Sequence, residues 1–344
     1  MVKRKILLFV AIVCLFFYIS IAKSEDYYPK SFDSLGSTVK SLIINEKVIN
    51  YIDDGKKTNT PVVFISGVGT SVRASRLLDF LRSFREELGL RLISIERNGF
   101  GQTLFNPLND MATYSQDILD ILDHLDIDSF SLFGISGGGP YAAKLASIAP
   151  ERIESIHMAA TLPVLGTRER CNDGQIYNIY KDIFKYPMKY FSFPNDSPIH
   201  MIDGFQDTAY DDASRTFYIN GQMADVSPLD HELTLYCDEG VIDTNSIKAP
   251  LYIYAGLSDP LLSNNDINDW SIYYPNSDVI KRVYPGEGHD VQYRHLDQIL
   301  IDIKYKGDKV LICNNGQEQL IRSSDLKLSN NYHYGLCIWN KSSN

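Results

Sequence analysis

The segment Gly134-Ile-Ser-Gly-Gly138 carries the clearest chemical signal in the sequence. It has the spacing G-x-S-x-G, follows an apolar run and opens a helical pattern. In a turn of this kind the backbone is strained, the serine hydroxyl projects clear of the sheet, and the glycines leave room where strand and helix crowd together. We therefore expect Ser136 to be a nucleophile and the Gly137 N–H to be one donor of an oxyanion hole. A glycine-rich turn without chemistry is the alternative.

A serine hydroxyl needs a general base, and the base needs an acid that orients it. Among the histidines, His289 lies directly after a predicted strand and before a helical pattern, at the sheet edge expected for Ser136. Asp259 follows the preceding predicted strand at its exit. The chain order Ser136, Asp259, His289 is that of a triad built on strand ends. Glu287 and Asp290 are the alternative orienting acids, and Asp259 alone would be interpreted as a turn or N-cap residue.

An oxyanion hole needs a second N–H donor. Ser66-Gly-Val-Gly-Thr70 follows another predicted strand, and the Val68 N–H is the best candidate within it, with an ordinary tight turn as the alternative. Neither glycine-rich segment matches a nucleotide site. The first is spaced G-x-x-G-G-G, the second lacks the third glycine of G-x-G-x-x-G, and no G-K-[ST] occurs.

The elements that must position these residues alternate between strand and helix, which predicts an α/β fold with a mostly parallel eight-stranded sheet and helices on both faces. Predicted strands are Ser41–Ile44, Val48–Ile52, Val62–Ser66, Arg91–Ile95, Phe130–Ile135, Ile153–Ala159, Leu251–Ala255 and Val279–Tyr284. Predicted helices are Val72–Leu88, Met111–Leu125, Gly138–Ile148, Asn265–Tyr273 and Asp290–Ile303. His124, His157 and His295 fall within periodic segments and are expected to be structural.

The alternation breaks over residues 166–248, too long a stretch for a plain loop, so we expect an inserted helical lid there. Ile176–Tyr190 and Ala213–Met223 have helical patterns within it. The core domain would then comprise residues 36–165 and 249–306. Residues 307–344 predict a C-terminal β extension, with strands at Lys309–Cys313, Gln319–Ile321 and Tyr334–Trp339.

Composition excludes several classes of function. The chain has 344 residues, 43 acids against 33 lysines and arginines, and no basic run after residue 5. Nucleic-acid binding needs a concentrated basic surface, so we expect no nucleic-acid partner. The acidic balance also disfavours docking on an anionic membrane surface, and the absence of a CxxC pair argues against a zinc ribbon. The expected partner is a small-molecule or short-peptide substrate.

The first 22 residues resemble an export signal. Three basic residues at positions 3–5 precede an apolar run over residues 6–22, and Ser20 and Ala22 fit a small-x-small cleavage site. The expected protein is therefore exported and secreted. An uncleaved signal-anchor is the alternative, because the run is only slightly shorter than the ~20 residues of a membrane span. In that case the protein would be a single-pass membrane protein attached through residues 6–22.

Export bears on the cysteines. Cys14 lies in the apolar segment, and four others remain, an even number that an oxidising compartment would pair. Of the three pairings, we favour Cys171–Cys237 with Cys313–Cys337, because each bond then stays within one region. Four free buried thiols are the alternative in a reducing compartment. Glycosylation sequons begin at Asn195 and Asn340.

With these motifs the sequence resembles the α/β-hydrolase superfamily over most of residues 60–165 and 250–305. Ser136-Gly-Gly-Gly-Pro-Tyr-Ala142 is similar to the lidded, serine-nucleophile branch that includes proline iminopeptidase-like and esterase-like enzymes. Glu96-Arg-Asn-Gly-Phe-Gly-Gln-Thr103 resembles the Asp-Arg-Pro-Gly-x-Gly-x-Ser turn of that branch. The departures from the pattern are Glu96, Asn98, Thr103 and Ser66, the last standing where many members have histidine.

The resemblance implies Ser136 as nucleophile, His289 as base and Asp259 as its orienting acid. Dehalogenases and epoxide hydrolases of this fold need an aspartate nucleophile, so Ser136 argues against both. We expect a serine hydrolase that cleaves an ester, thioester or amide through an acyl-enzyme, without a metal or organic cofactor. Esterase and aminopeptidase activity are both compatible with the pattern. A non-catalytic receptor or interaction protein on the same scaffold is the alternative.

Overall fold

An eight-stranded sheet runs through the computed structural model, which describes residues 37–163, 227–238, 242–326 and 332–337. Its strands are β1 Lys40–Ile44, β2 Lys47–Asp54, β3 Thr60–Ile65, β4 Leu90–Ile95, β5 Phe130–Ile135, β6 Ile153–Ala159, β7 Leu251–Gly256 and β8 Val279–Tyr284. The order across the sheet is β1-β2-β4-β3-β5-β6-β7-β8, with antiparallel pairing from β1 to β4 and parallel pairing from β4 to β8. This confirms the predicted fold class, and all eight predicted strands are present.

The α-helices of the described residues are α1 Arg82–Glu87, α2 Met111–His124, α3 Gly139–Ile148, α4 Ser227–Asp238, α5 Asn264–Asn268, α6 Trp270–Tyr273, α7 Val291–Arg294 and α8 Leu296–Tyr305. Short 3₁₀ segments lie at Val72–Leu81, Ser136–Gly138, Pro150–Arg152 and Ser323–Asp325. Three predicted continuous helices are therefore interrupted: residues 72–88 begin as a 3₁₀ segment, and the helices at 265–273 and 290–303 are each split in two. At the second split, the His295 ring stacks on Tyr284 with centroids 3.6 Å apart.

The central strands are buried on both faces because helices cover both sides of the sheet. Along β3, Val63 and Ile65 pack into one core with α2 and α3, whereas Val62 and Phe64 pack into a second core with α8 and the 3₁₀ segment Val72–Leu81. Strand β4 is buried at every position. Continuous apolar runs are what strands buried on both faces require.

Helix α4 lies within the expected insertion and was not predicted from the sequence. It buries Glu232, Leu233 and Tyr236, which share one face at helical spacing. The predicted helices Ile176–Tyr190 and Ala213–Met223 lie outside the described residues. The insertion boundaries at 166 and 248, like the other domain boundaries, stay predictions.

The C-terminal extension is a three-stranded antiparallel sheet of order β10-β9-β11, with β9 Lys309–Asn314, β10 Gln317–Arg322 and β11 Tyr332–Tyr334. Its third strand, β11, overlaps the predicted strand Tyr334–Trp339 only at Tyr334. Cys313 and Cys337 form the expected disulfide, with Cα atoms 4.9 Å apart. Cys237 is also disulfide-bonded. Its expected partner, Cys171, lies outside the described residues.

A buried polar network ties the two strands that precede the candidate acid and base to α8. Arg282 on β8 donates two hydrogen bonds, of 2.5 and 2.6 Å, to Asp302 on α8. Tyr254 on β7 donates to the same carboxylate at 2.9 Å and accepts a 3.0 Å bond from His157 Nδ1. The second ring nitrogen of His157 accepts from the Ser155 hydroxyl at 2.9 Å. His157 is therefore a neutral structural histidine, as expected from its place in β6.

Within the ranges given above, no helix is long and apolar enough to cross a membrane. The apolar segment 6–22 lies outside those ranges.

His157 generates a prediction about acid stability. Burial, assisted by the charge of Arg282, lowers the pKa of His157 from 6.5 to about 3. The unfolded chain takes up a proton below about pH 6.5 while the folded protein does not, so the free energy of unfolding falls as the pH drops from 6.5 toward 3. The loss is up to about 1.4 kcal/mol per pH unit.

Urea unfolding across this range should show a steeper loss of stability for the wild type than for His157→Gln. The exposed His124 offers a matched control, and His124→Gln should keep the wild-type slope. Equal slopes for all three proteins would contradict the assignment.

Candidate active site

Ser136 lies at the tip of a sharp turn between β5 and α3. Its φ angle is +47°, a left-handed conformation that costs a non-glycine residue about 1–3 kcal/mol. The turn also explains two glycines. A Cβ on Gly134 would lie 3.2 Å from the Ala142 side chain, and a Cβ on Gly138 only 2.2 Å from the Ile65 carbonyl oxygen. The close approach of β3 to this turn therefore requires glycine at position 138.

Gly137 must also lack a side chain, for a reason that the motif alone does not give. A Cβ there would lie 2.5 Å from the Tyr236 hydroxyl and 2.8 Å from the Val68 backbone nitrogen. The two expected oxyanion donors, Gly137 and Val68, are thus neighbours. Gly67 also faces the nucleophile, since its Cβ would lie 3.5 Å from the Ser136 Cβ.

Ser136, His289 and Asp259 form one hydrogen-bonded chain. The Ser136 hydroxyl lies 2.9 Å from His289 Nε2, and His289 Nδ1 lies 2.8 Å from Asp259 Oδ2. A carboxylate only accepts hydrogen bonds, so Nδ1 carries the ring proton and Nε2 is left to accept from the serine. Asp259 is itself oriented, because its other oxygen accepts from the Leu261 N–H at 2.8 Å. His289 and Asp259 are 4% and 5% exposed, so the hydrogen bond between them is shielded from solvent.

The two alternative orienting acids have other environments. Glu287 pairs with Arg294 at 2.9 Å. Asp290 is buried beside the glycine that precedes His289, and burial raises the pKa of its carboxyl. Of these acids, Asp259 is the one hydrogen-bonded to His289.

The peptide that carries the Val68 N–H is held from its far side. The Gly67 carbonyl, which belongs to the same peptide unit, accepts from the Thr70 hydroxyl at 2.6 Å and from Arg97 Nη2. In a planar trans peptide the N–H points opposite to the C=O, so Val68 directs its N–H away from Arg97. Among the described residues nothing accepts that hydrogen bond, although Val68 is only 5% exposed. The arrangement leaves a buried donor available beside Gly137.

Arg97 organises the loop after β3. Its guanidinium also donates to the Ser66 carbonyl at 2.6 Å and lies 3.0 Å from a Glu232 carboxylate oxygen. Burial by itself would lower the pKa of Arg97, but Glu232 and nearby tyrosines raise it above its ordinary value. Arg97 is therefore a fixed cation. The sequence shows Arg97 within its turn motif without indicating this role.

Glu96, a departure from the resembled turn, also has a defined task. Its carboxylate accepts from the Val72 N–H at 3.1 Å and from the Gln102 N–H at 2.9 Å. Burial raises the pKa of this carboxyl, and the two N–H donors oppose the rise. Glu96, which is one methylene longer than the aspartate of the resembled turn, thus connects the segment after β3 to the turn that follows β4.

Sequence reasoning missed Glu232 and Tyr236 on α4. Glu232 accepts from the Gly69 N–H at 2.7 Å, and Tyr236 donates to the Gly137 carbonyl at 2.8 Å. Burial raises the pKa of Glu232, while Arg97 opposes the rise. An available signal was the spacing of Leu229, Glu232, Leu233 and Tyr236 after Ser227-Pro228, which is typical of a helix with one buried face.

The arrangement provides the parts for nucleophilic attack on a carbonyl: a hydroxyl, a base in the right tautomer, and neighbouring N–H donors. No group of three or more histidine, cysteine, aspartate or glutamate side chains suited to a metal ion is present in the described part of the chain.

Comparison with known proteins identifies the same fold. A family model described as alpha/beta hydrolase fold matches residues 60–177. The chain is 27% identical over 127 residues to the dihydrolipoyllysine-residue acetyltransferase component of the acetoin cleaving system of Pseudomonas putida, covering 37% of this chain and 33% of that protein. It is 32% identical over 124 residues to the uncharacterized hydrolase YcgS of Bacillus subtilis, covering 36% and 42%.

The chain thus spans a third to about two fifths of the length of these curated relatives. Among solved structures, epoxide hydrolase A of Mycobacterium thermoresistibile aligns with a TM-score of 0.59 at 14% identity, covering 78% of this chain and 97% of that one. The sheet order, the strained serine turn and these matches agree on the fold. The chain has the α/β-hydrolase fold, and its residues 60–177 are similar to the family of that name.

The crowding at Gly138 generates a prediction. Gly138→Ala places a methyl group against the backbone carbonyls at the end of β3, which are held in place by the sheet. The substitution should therefore lower the free energy of unfolding by about 1–3 kcal/mol or more. Gly288→Ala is the control, because its Cβ would meet only the Asp290 side chain, at 3.3 Å. Thermal unfolding should show a clearly lower Tm for Gly138→Ala alone. Equal melting temperatures for the two variants would show that the turn accommodates a side chain at position 138.

Proposed function

We propose that this protein is a serine hydrolase that cleaves an ester, thioester or amide bond through an acyl-enzyme intermediate. The observation that carries the proposal is the hydrogen-bonded chain from Ser136 through His289 to Asp259, with distances of 2.9 and 2.8 Å. It begins at a serine held in a strained turn next to two backbone N–H groups. A purely structural serine needs neither the strain nor an oriented imidazole.

In the proposed reaction, the Ser136 oxygen attacks the substrate carbonyl while His289 Nε2 accepts its proton. Asp259 stabilises the imidazolium that forms, without taking the proton itself. The N–H groups of Gly137 and Val68 donate to the oxyanion of the tetrahedral intermediate. His289 then protonates the leaving group, and water releases the acyl group by the reverse sequence.

The residue at the tip of the turn indicates which class of bond the protein cleaves. The structural neighbour is named an epoxide hydrolase, but at 14% identity the likeness is one of fold. This chain has Ser136 at the turn, which favours acyl transfer over the aspartate-dependent opening of an epoxide. A screen of acyl p-nitrophenyl esters and proline amides separates esterase-like from aminopeptidase-like activity, and the substrate is expected to be a small molecule or short peptide.

We also propose that the protein is exported, either secreted or anchored through residues 6–22. The apolar segment behind three basic residues supports this. The Cys313–Cys337 disulfide adds support, because disulfides persist mainly in oxidising compartments.

Ser136→Ala tests the nucleophile. Only one oxygen is lost, so the fold should be retained while kcat falls by a factor of about 10⁴–10⁶. A fluorophosphonate probe should label the wild type and leave Ser136→Ala unlabelled. Ser147→Ala, on the helix that follows the turn, serves as the control and should be labelled normally.

If a folded wild-type protein is not labelled and hydrolyses none of the substrates, the non-catalytic alternative gains support. Labelling that persists in Ser136→Ala would assign the nucleophile to another residue.

Asp259→Asn tests the orienting acid. An amide at this position favours the wrong imidazole tautomer, so kcat should fall by a factor of about 10⁴ while KM changes little. Glu287→Gln is the matched control, since Glu287 lies in the His289 loop but pairs with Arg294. Steady-state kinetics of both variants provide the measurement. A larger loss of kcat for Glu287→Gln than for Asp259→Asn would show that Glu287, and not Asp259, orients His289.

A further inference from the structure

Both peptide units that flank the Val68 Cα are anchored to charged side chains. The preceding unit is held at the Gly67 carbonyl by Arg97 and Thr70. The following unit is held at the Gly69 N–H, which donates to Glu232 at 2.7 Å. Because φ and ψ of Val68 are the rotations between these two planes, fixing both planes fixes the direction of the Val68 N–H.

The two anchors are themselves paired. Arg97 Nε lies 3.0 Å from Glu232 Oε1, and the two side chains are 4% and 2% exposed. Arg97 follows β4, whereas Glu232 belongs to α4, which lies within the expected insertion. The orientation of the β3 loop thus depends on a helix far away in sequence.

The same helix reaches the other oxyanion donor. Tyr236, one turn after Glu232, donates to the Gly137 carbonyl at 2.8 Å and lies 3.3 Å from Glu232 Oε1. This bond restrains the rotation about the Gly137 Cα. Helix α4 therefore contacts Gly137 directly and restrains Val68 through the neighbouring Gly69. A buried charge pair is costly to desolvate and is seldom a net source of stability. The position of the Arg97–Glu232 pair is therefore better explained by its orienting the backbone of the oxyanion hole than by a contribution to the free energy of folding.

We propose that Glu232 is a positioning residue which, paired with Arg97 and assisted by Tyr236, fixes the oxyanion hole. The inference rests on the proposed hydrolase function. It implies that the oxyanion hole is complete only when α4 is docked on the β3 loop. The positive guanidinium on the Gly67 carbonyl also polarises that peptide and strengthens the Val68 N–H as a donor.

The test separates orientation from stability by replacing the ion pair with apolar residues. In the double variant Arg97→Met/Glu232→Leu both charges leave together, which is often neutral or stabilising for a buried pair. The matched control is Arg85→Met/Asp54→Leu, which removes another buried ion pair, of 2.5 Å, toward the amino end of β4. Tyr236→Phe provides a single-atom variant at the second donor.

Each variant is assayed for Tm, for kcat and KM on the best p-nitrophenyl ester, and for inhibition by a boronic acid. A boronic acid forms a tetrahedral anion on the serine and so reports oxyanion binding. We expect Arg97→Met/Glu232→Leu and Tyr236→Phe to lower kcat and boronate affinity by about 10–100-fold, with KM changed less than about 3-fold. The control Arg85→Met/Asp54→Leu should retain the wild-type kcat, KM and boronate affinity.

Wild-type kcat and boronate affinity in folded Arg97→Met/Glu232→Leu would overturn the inference, as would equal losses in the control. If the double variant does not fold, Tyr236→Phe decides, and its unchanged kcat and boronate affinity would be equally negative. Ser136→Ala distinguishes the two proposals: its inactivity together with unaffected positioning variants leaves the hydrolase function standing and removes only the role of Glu232.

Discussion

The contact between the Ser136 turn and the end of β3 is the constraint on which the site depends. Only a glycine at position 138 lets the turn approach the Ile65 and Ser66 carbonyls, where a Cβ would lie 2.2 and 2.6 Å away. This approach brings Gly137 beside Val68 and lifts the serine hydroxyl toward His289. The left-handed backbone of Ser136 is a strained conformation that the packed sheet below it enforces.

Parallel pairing supplies the rest of the geometry. The carboxyl ends of the parallel strands β3, β5, β7 and β8 lie at one edge of the sheet. Loops that are distant in sequence therefore converge there. Asp302 on α8 ties β7 to β8 through Tyr254 and Arg282. The two strands that lead to Asp259 and His289 therefore share one anchor, which limits their relative movement beneath a chain of hydrogen bonds that tolerates little displacement.

Buried charge is handled differently in the two regions. Under the sheet, the Asp302 carboxylate has arginine and tyrosine donors, and His157 stays neutral because burial lowers its pKa to about 3. Beside the serine, Arg97 and Glu232 each keep backbone groups of the β3 loop as partners in addition to one another. The first arrangement holds elements together, and the second orients individual peptide groups at the site. Both satisfy the rule that buried ionisable groups require defined partners.

The sequence by itself determined the fold class and the eight strands, and it predicted Ser136 and His289 as partners, with Asp259 as the favoured of three candidate acids. These follow from local rules: apolar runs mark strands buried on both faces, and the serine turn demands glycines at fixed offsets. Only the tertiary structure decided that Asp259 is the acid that contacts His289, that Gly137 must lack a side chain because of Tyr236, and that Glu232 is buried against Arg97. Glu232 meets Gly69 across 163 residues, and Tyr236 meets Gly137 across 99. Helical periodicity shows which residues share a face, but it does not show what that face packs against. An acidic residue that is buried in the folded protein therefore has the same local sequence pattern as one on the surface.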